Sequence, residues 1–326
     1  MREGGDPSPR RGDRGRRRWA AGLAVAAAVL LAGGAGAAAA APGAPTVTTI
    51  HVGYEPDRVA VGADAVWAGD DGNLVRVDLH THQVRTVPDA TTPVAASGDT
   101  VWARADLEFD TLERLDHATG AVTARVPLPG SPSEIAIGPT AVWVVDSTGD
   151  LTRIDPASAQ VVATVPLGEI GFGVTATPDA VWVTGQDVAR QPLLWRVDPA
   201  SDRLVATIST GAPCGLLASA AGDTWAECGT LHHVDPTTGQ LAATDVNALN
   251  GLAVSPSAVY ALDADGHLTA LDPTSGHATP VLTVPPLSEG VALGGGALWI
   301  ANPALNDATA THGAGTMLRV QLIPTP

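Results

Sequence analysis

Three glutamates, Glu134, Glu169 and Glu289, stand just ahead of short apolar runs, and His312 lies in a long polar insertion near the C-terminus. Carboxylate oxygens are the ligands that Ca²⁺ and Mg²⁺ take, so such a set gathered at one mouth would hold either ion. A glutamate beside His312 would then act as general base in a metal-assisted proton abstraction, the chemistry of a lyase or hydrolase. Tyr54, Glu55, Phe172 and Asn302 occupy comparable connections and read, with those four, as ligand contacts. The same residues equally serve recognition without reaction. The chain has no HExxH, no Cys/His zinc spacing, no GxSxG and no P-loop. Without a recognisable catalytic constellation, binding stands ahead of catalysis, and a metal-dependent lyase or hydrolase is the alternative.

What must position these residues is a repeated unit, complete once in Glu134 to Gly168 as EIAIGPTAVWVVDSTGDLTRIDPASAQVVATVPLG. It divides into four short strands at Gly138-Pro139, Ser147 to Gly149 and Asp155-Pro156, where turn residues interrupt the apolar runs. The second strand carries an aromatic residue in every copy: Trp67, Trp102, Trp143, Trp182, Trp225, Tyr260 and Trp299. Successive spacings of 35, 41, 39, 43, 35 and 39 residues fit the period of propeller blades of roughly 40 residues. The third strand ends in Asp78, Asp116, Asp155, Asp198, Asp235 and Asp272, with Gln321 in the last copy. These aspartates read as turn chemistry, each accepting backbone N–H groups ahead of the fourth strand. The seventh copy lacks a fourth strand, and Val47 to Val52 matches the missing one. The expectation is an all-β, seven-bladed propeller of four-stranded antiparallel blades, its ring closed by an N-terminal strand that completes the last blade.

With these residues laid out, the chain resembles the YVTN-type propeller repeats, whose VDPxTxxVVATIPVG pattern is echoed by RIDPASAQVVATVPLG and by RVDPASDRLVATISTG. It is also similar to the wider propeller group that contains virginiamycin B lyase, a likeness that implies metal-assisted elimination at the channel mouth. That group follows its Trp with Phe-Thr-Glu, whereas here Trp67 is followed by Ala68-Gly69-Asp70 and Trp143 by Val144-Val145-Asp146. No catalytic residue therefore carries over by position, and function must be argued from a site.

In such a ring the connections from fourth to next first strand, and from second to third, gather on one face around the channel. They hold the candidates above together with Asp57, Asn250 and Ser288, and with Asp106, Glu108, Asp110, Gln186, Asp187, Arg190, Asn306 and Asp307. His80, His82, His117, His267 and His277 are expected on the opposite face, as solvent-facing residues of the turns between third and fourth strands.

Residues 1–18 carry seven arginines against three acids, then comes an apolar run from Trp19 to Leu31 and a small-residue stretch ending at Ala41. This is the order of a signal peptide over residues 1–41. Arg16-Arg17-Arg18-Trp19 resembles a twin-arginine signal, so Sec and twin-arginine export both stay open. Left uncleaved, the run would be a weakly hydrophobic anchor. A linker over 42–45, the propeller over 46–323 and a tail over 324–326 follow, and in either case the propeller is extracytoplasmic: secreted, or held at the outer face of the membrane. Beyond residue 41 the chain has 11 Arg and no Lys against 31 acidic residues, a formal balance of −20. No nucleic-acid partner is expected and anionic membrane surfaces are poor partners, because affinity for phosphate rests on positive charge. A small molecule or an extracytoplasmic protein remains as the partner, engaged by a monomer. Cys214 and Cys228 flank a hairpin at equal distance from its turn, with a strand expected over Cys214 to Ser219, and an oxidising compartment would join them as a disulfide.

Overall fold

The computed structural model describes residues 44–168, 170–303 and 315–322. The expected signal peptide or anchor and the C-terminal tail lie outside the described residues. So do Glu169, Asn306, Asp307 and His312. The described residues form seven four-stranded antiparallel sheets and no helix.

Blade 3 shows why the repeat folds as it does. Its strands run Pro132–Ile137, Val142–Asp146, Asp150–Asp155 and Gln160–Pro166. Side chains along a strand alternate between the two faces of a sheet. Val142 and Val144 accordingly pack against Trp102 and Leu112 of blade 2, while Trp143 and Val145 pack against Val181 and Val183 of blade 4. A second strand sandwiched between neighbours is buried on both faces, which is why its sequence is continuously apolar instead of alternating. The fourth strand lies at the rim, where Val161 and Val162 are exposed.

Each second-strand aromatic packs on the following blade. Trp67 sits among Val94, Val101 and Leu115 of blade 2, and Trp299 among Val66, Ala68 and Val75 of blade 1, which carries the packing around the whole ring. Burial of one such ring is worth several kcal/mol, and truncation to alanine costs about 3–5 kcal/mol. The last blade is completed as the sequence predicts. Thr46–Gly53 runs antiparallel to Gly315–Gln321, pairing Thr46 with Gln321 and Ile50 with Met317.

The third-strand aspartates are turn residues. Asp155 Oδ1 accepts the N–H groups of Ala157 and Ser158 at 3.1 and 2.7 Å, and Asp235 Oδ1 those of Thr237 and Thr238 at 3.0 and 2.7 Å. These bonds favour the charged form, so the carboxyls of Asp155 and Asp235 are held below the usual aspartate range.

Cys214 and Cys228 are joined as a disulfide, with Cα atoms 4.0 Å apart. The hairpin is shorter than its sequence suggests: the strands are Leu217–Ala220 and Asp223–Glu227, and Cys214 lies ahead of the first. Gly215 N–H donates to the Glu227 carbonyl and Glu227 N–H to that of Leu216, holding the bridged segment to the hairpin outside the regular ladder.

One histidine is on the other face from that expected. His267 opens the third strand of blade 6, His267–Leu271, and so belongs to a second-to-third connection on the mouth face. It stands seven residues after Tyr260, as Asp150 at the start of the blade 3 third strand stands seven after Trp143.

Candidate functional site

The innermost strand of each blade faces a central cavity of ≈ 550 Å³. Its wall combines aliphatic side chains, such as Val61, Val94, Val174 and Leu252, with Arg58, Glu134, Asn250 and Glu289. The charged residues come from the entering ends of first strands, because each chain crossing from one rim to the next inner strand arrives at the same end of the ring.

Bulges in these inner strands aim the side chains at the mouth. The ladder slips between Asp57 and Val59, between Gly171 and Gly173, and between Glu289 and Val291. An extra residue in a strand bends it and re-aims a side chain. The residues left over are Arg58, Phe172 and Gly290. Arg58 has φ 41°, and Gly290, at φ 62°, lies so close to it that a Cβ would stand 2.9 Å from the Val59 nitrogen. Only glycine fits there without displacing the Arg58 backbone.

Arg58 Nη1 donates to Glu134 Oε2, an ion pair from blade 1 to blade 3 across the top of the cavity. Desolvation pushes the Glu134 carboxyl up, opposed by Arg58 and by the Ile135 N–H. Glu134 is therefore an anchored partner of a guanidinium. Glu289 makes no comparable ion pair among the described residues. Its carboxyl is raised by desolvation and by the nearby charge of Asp57, with Arg58 acting in the opposite sense.

Beside the mouth a second pocket of ≈ 300 Å³ opens between blades 7, 1 and 2, lined by Glu55, Asp57, Asp70, Asp71, Thr91 and Glu289. Asp70 shapes it. Its Oδ1 accepts the N–H groups of Tyr54 and Glu55 at 2.7 and 2.9 Å, and its carboxylate fills the space that a side chain at Gly53 would occupy. Asp57 is half-buried; desolvation raises its carboxyl, while Arg58 and the Thr92 hydroxyl, 3.3 Å away, lower it.

Of the residues expected to bind, Glu55, Glu134 and Glu289 are brought to the cavity and its side pocket, and Tyr54 is placed in the connection held by Asp70. Phe172 stands separately on the face as a partly exposed ring. Asn302 ends a second strand, where its Nδ2 donates to Thr316 Oγ1 at 3.0 Å, and Asn250 Nδ2 donates to the Ser288 carbonyl at 3.2 Å. Both tie strands together. Arg58, Asp57 and Asp70 complete the mouth; the first is invisible as a site residue in sequence because a bulge, and not its type, turns it inward. Among the described residues, Asp263, Asp265 and His267 form the single trio of possible metal ligands whose atoms lie within 4.8 Å of one another. That trio is a turn, with Asp263 Oδ1 accepting the N–H groups of Asp265 and His267.

The two faces of the ring differ sharply. Leu107 and Phe109 in the blade 2 loop, Ile170 and Phe172 entering blade 4, Val188, Leu249 and Leu287 are all large apolar residues exposed on the mouth face, Leu107 by 78% and Val188 by 83%. The other exposed large apolar residues among those described lie on outer fourth strands, so the opposite face carries none.

This arrangement of blades is shared with solved structures. The β-propeller domain of Swd1 from Myceliophteria thermophila superposes with TM-score 0.68 at 14% identity, over 85% of this chain and 100% of that one. The architecture is a β-propeller. A chain of the mitotic checkpoint complex matches with TM-score 0.66 at 14% identity, over 88% of this chain and 96% of that one. BamB from Moraxella catarrhalis matches with TM-score 0.53 at 16% identity, over 82% and 86%. Such identities establish a common fold and carry no site residue across. No family model matches the propeller's sequence, and no curated protein does.

Proposed function

We propose that this propeller is an extracytoplasmic interaction module that docks a protein partner on its channel-mouth face. The observation that carries the reading is the segregation of loop-borne apolar residues: seven large ones stand in water on one face and none on the other, among the described residues. Exposed apolar side chains cost free energy in a free monomer, and their collection around a polar centre marks an interaction surface. Leu107, Phe109, Phe172 and Val188 are the anchors that a partner's pockets would cover. A rigid ring with variable loops suits this use, since loops can change without disturbing the blades. The mitotic checkpoint complex shows a similar fold inside an assembly. Export is supported by the arginine-rich, then apolar, N-terminal segment and by the Cys214–Cys228 disulfide.

Site-specific photo-crosslinking tests this. A crosslinking residue at Phe109 or Val188 should trap a discrete partner in cells, whereas one at Ala157, in an exposed turn of the opposite face, should not. Equal trapping from both faces, or trapping from Ala157 alone, would remove the reading.

A further inference from the structure

The acidic side pocket next to the mouth indicates what such a partner presents. Among the described residues its lining has five carboxylates, Glu55, Asp57, Asp70, Asp71 and Glu289, and no arginine or histidine. Of the arginines nearby, Arg58 is committed to Glu134, and Arg104, across the ladder from Thr91, lies over the Phe109 ring, 5.6 Å from its centroid. Thr91, 6% exposed, lines the same pocket; its hydroxyl makes no hydrogen bond among the described residues and is not closed off from the pocket as their buried unmatched atoms are. A hydroxyl left free at the wall of a pocket is available to an incoming donor. Asp57 and Glu289 repel one another here, and burial raises both carboxyls, so an incoming positive charge would relieve two destabilised groups at once.

The spacing selects the kind of cation. The carboxylates of this pocket do not bring three ligand atoms within 4.8 Å of one another, so they form no three-carboxylate cage for one metal ion. A guanidinium offers five N–H donors spread over a planar fork, and it can engage separated carboxylates and a hydroxyl together. Resting on the docking reading above, we propose that the pocket lined by Asp57, Thr91 and Glu289 receives an arginine side chain of the protein partner. The apolar residues around the mouth cover the partner's surface while the acidic pocket fixes its register and speeds encounter, the usual division of labour between apolar anchors and charge.

The probe is N-acetyl-argininamide, titrated into the purified protein and followed by amide NMR, with N-acetyl-citrullinamide as the neutral isostere. The expected result is saturable perturbation centred on Asp57, Thr91 and Gly290 with the arginine probe and none with citrulline. Glu289→Gln and Asp57→Asn, both near-isosteric and checked for an unchanged fold, should each weaken binding by up to about fivefold, as loss of one partner from a partly solvated charge pair does. The proposal is overturned if citrulline binds equally, if both variants bind as wild type, or if the perturbation fails to saturate and spreads over the acidic surface. Such a failure leaves the docking reading to its own test, because Phe109→Ser should abolish partner crosslinking from Val188 without altering affinity for argininamide.

Discussion

Trp143 and Arg153 face each other across adjacent strands of blade 3, with the guanidinium carbon 5.6 Å from the indole centroid. The same guanidinium reaches on to Asp202 in the turn of blade 4 at 3.0 Å. The pairing recurs as Trp67 with Arg76, Trp102 with Arg114, Trp182 with Arg196 and Trp299 with Arg319. Arg76 Nε donates to the His117 carbonyl of blade 2 at 2.8 Å, and Arg114 Nη1 to the Pro156 and Ala157 carbonyls of blade 3 at 2.9 and 2.8 Å. Arg153 thus lies over its own blade's indole and latches the next blade's turn; Arg76 and Arg114 make the same latch, while Arg196 and Arg319 lie over their indoles and bond within their own blades.

Removing this latch should loosen neighbouring blades measurably but modestly. Arg153 and Asp202 are both partly exposed, at 22% and 26%, so their coupling in a double-mutant cycle should be about 0.2–1 kcal/mol. Arg153→Ala should cost more than Asp202→Ala, because it also removes the cation–π contact and the stem packed on Trp143. Urea denaturation of the four proteins in the cycle measures both quantities.

The turn aspartates set a lower pH limit. Backbone and hydroxyl donors hold the Asp155, Asp198 and Asp235 carboxyls below the ordinary value of 3.8. A depressed folded-state pKa contributes stability that is present above the unfolded value and lost as pH falls through the folded one. Melting temperature should therefore fall as pH drops below about 4, by linkage. Replacing the three by asparagine, which keeps an acceptor oxygen without the charge, should flatten that drop.

Asp57 behaves in the opposite sense. Desolvation raises its carboxyl, so ionisation opposes folding, and stability falls as pH rises from the unfolded value through the raised one. Asp57→Asn should melt higher than wild type at pH 7, the difference vanishing in acid below the ordinary aspartate range. A lower melting temperature at neutral pH would show that the bond with Thr92 outweighs desolvation. Residues poised for a ligand commonly carry such a stability cost.

The Cys214–Cys228 bridge closes a loop with a sequence separation of 14. Loss of a crosslink around a loop this short should destabilise by about 3 kcal/mol in the chain-entropy model. Cys214→Ser with Cys228→Ser, compared with wild type under oxidising and reducing conditions, checks the value, and the double variant should be insensitive to reductant.

Blade number, strand order, ring closure and the disulfide pair were all legible in the chain, because they depend on local rules repeated seven times. An aromatic at one strand position, an aspartate at the next turn and an apolar run between them leave a period that survives changes at every other site. The latch was not legible: an arginine facing solvent and one packed on indole look alike in sequence, and the partner carbonyls lie 41 to 43 residues away. Sequence also placed Glu55, Glu134 and Glu289 near the mouth, since connection type fixes which end of the ring a residue occupies. It could not tell that Glu134 is held by Arg58 across 76 residues while Glu289 faces a pocket with Asp57. That distinction comes from single-residue bulges and from closure of the ring, which brings residues near 57 and 289 to adjacent blades. Local pattern decides the blades; only the closed ring decides which carboxylates meet.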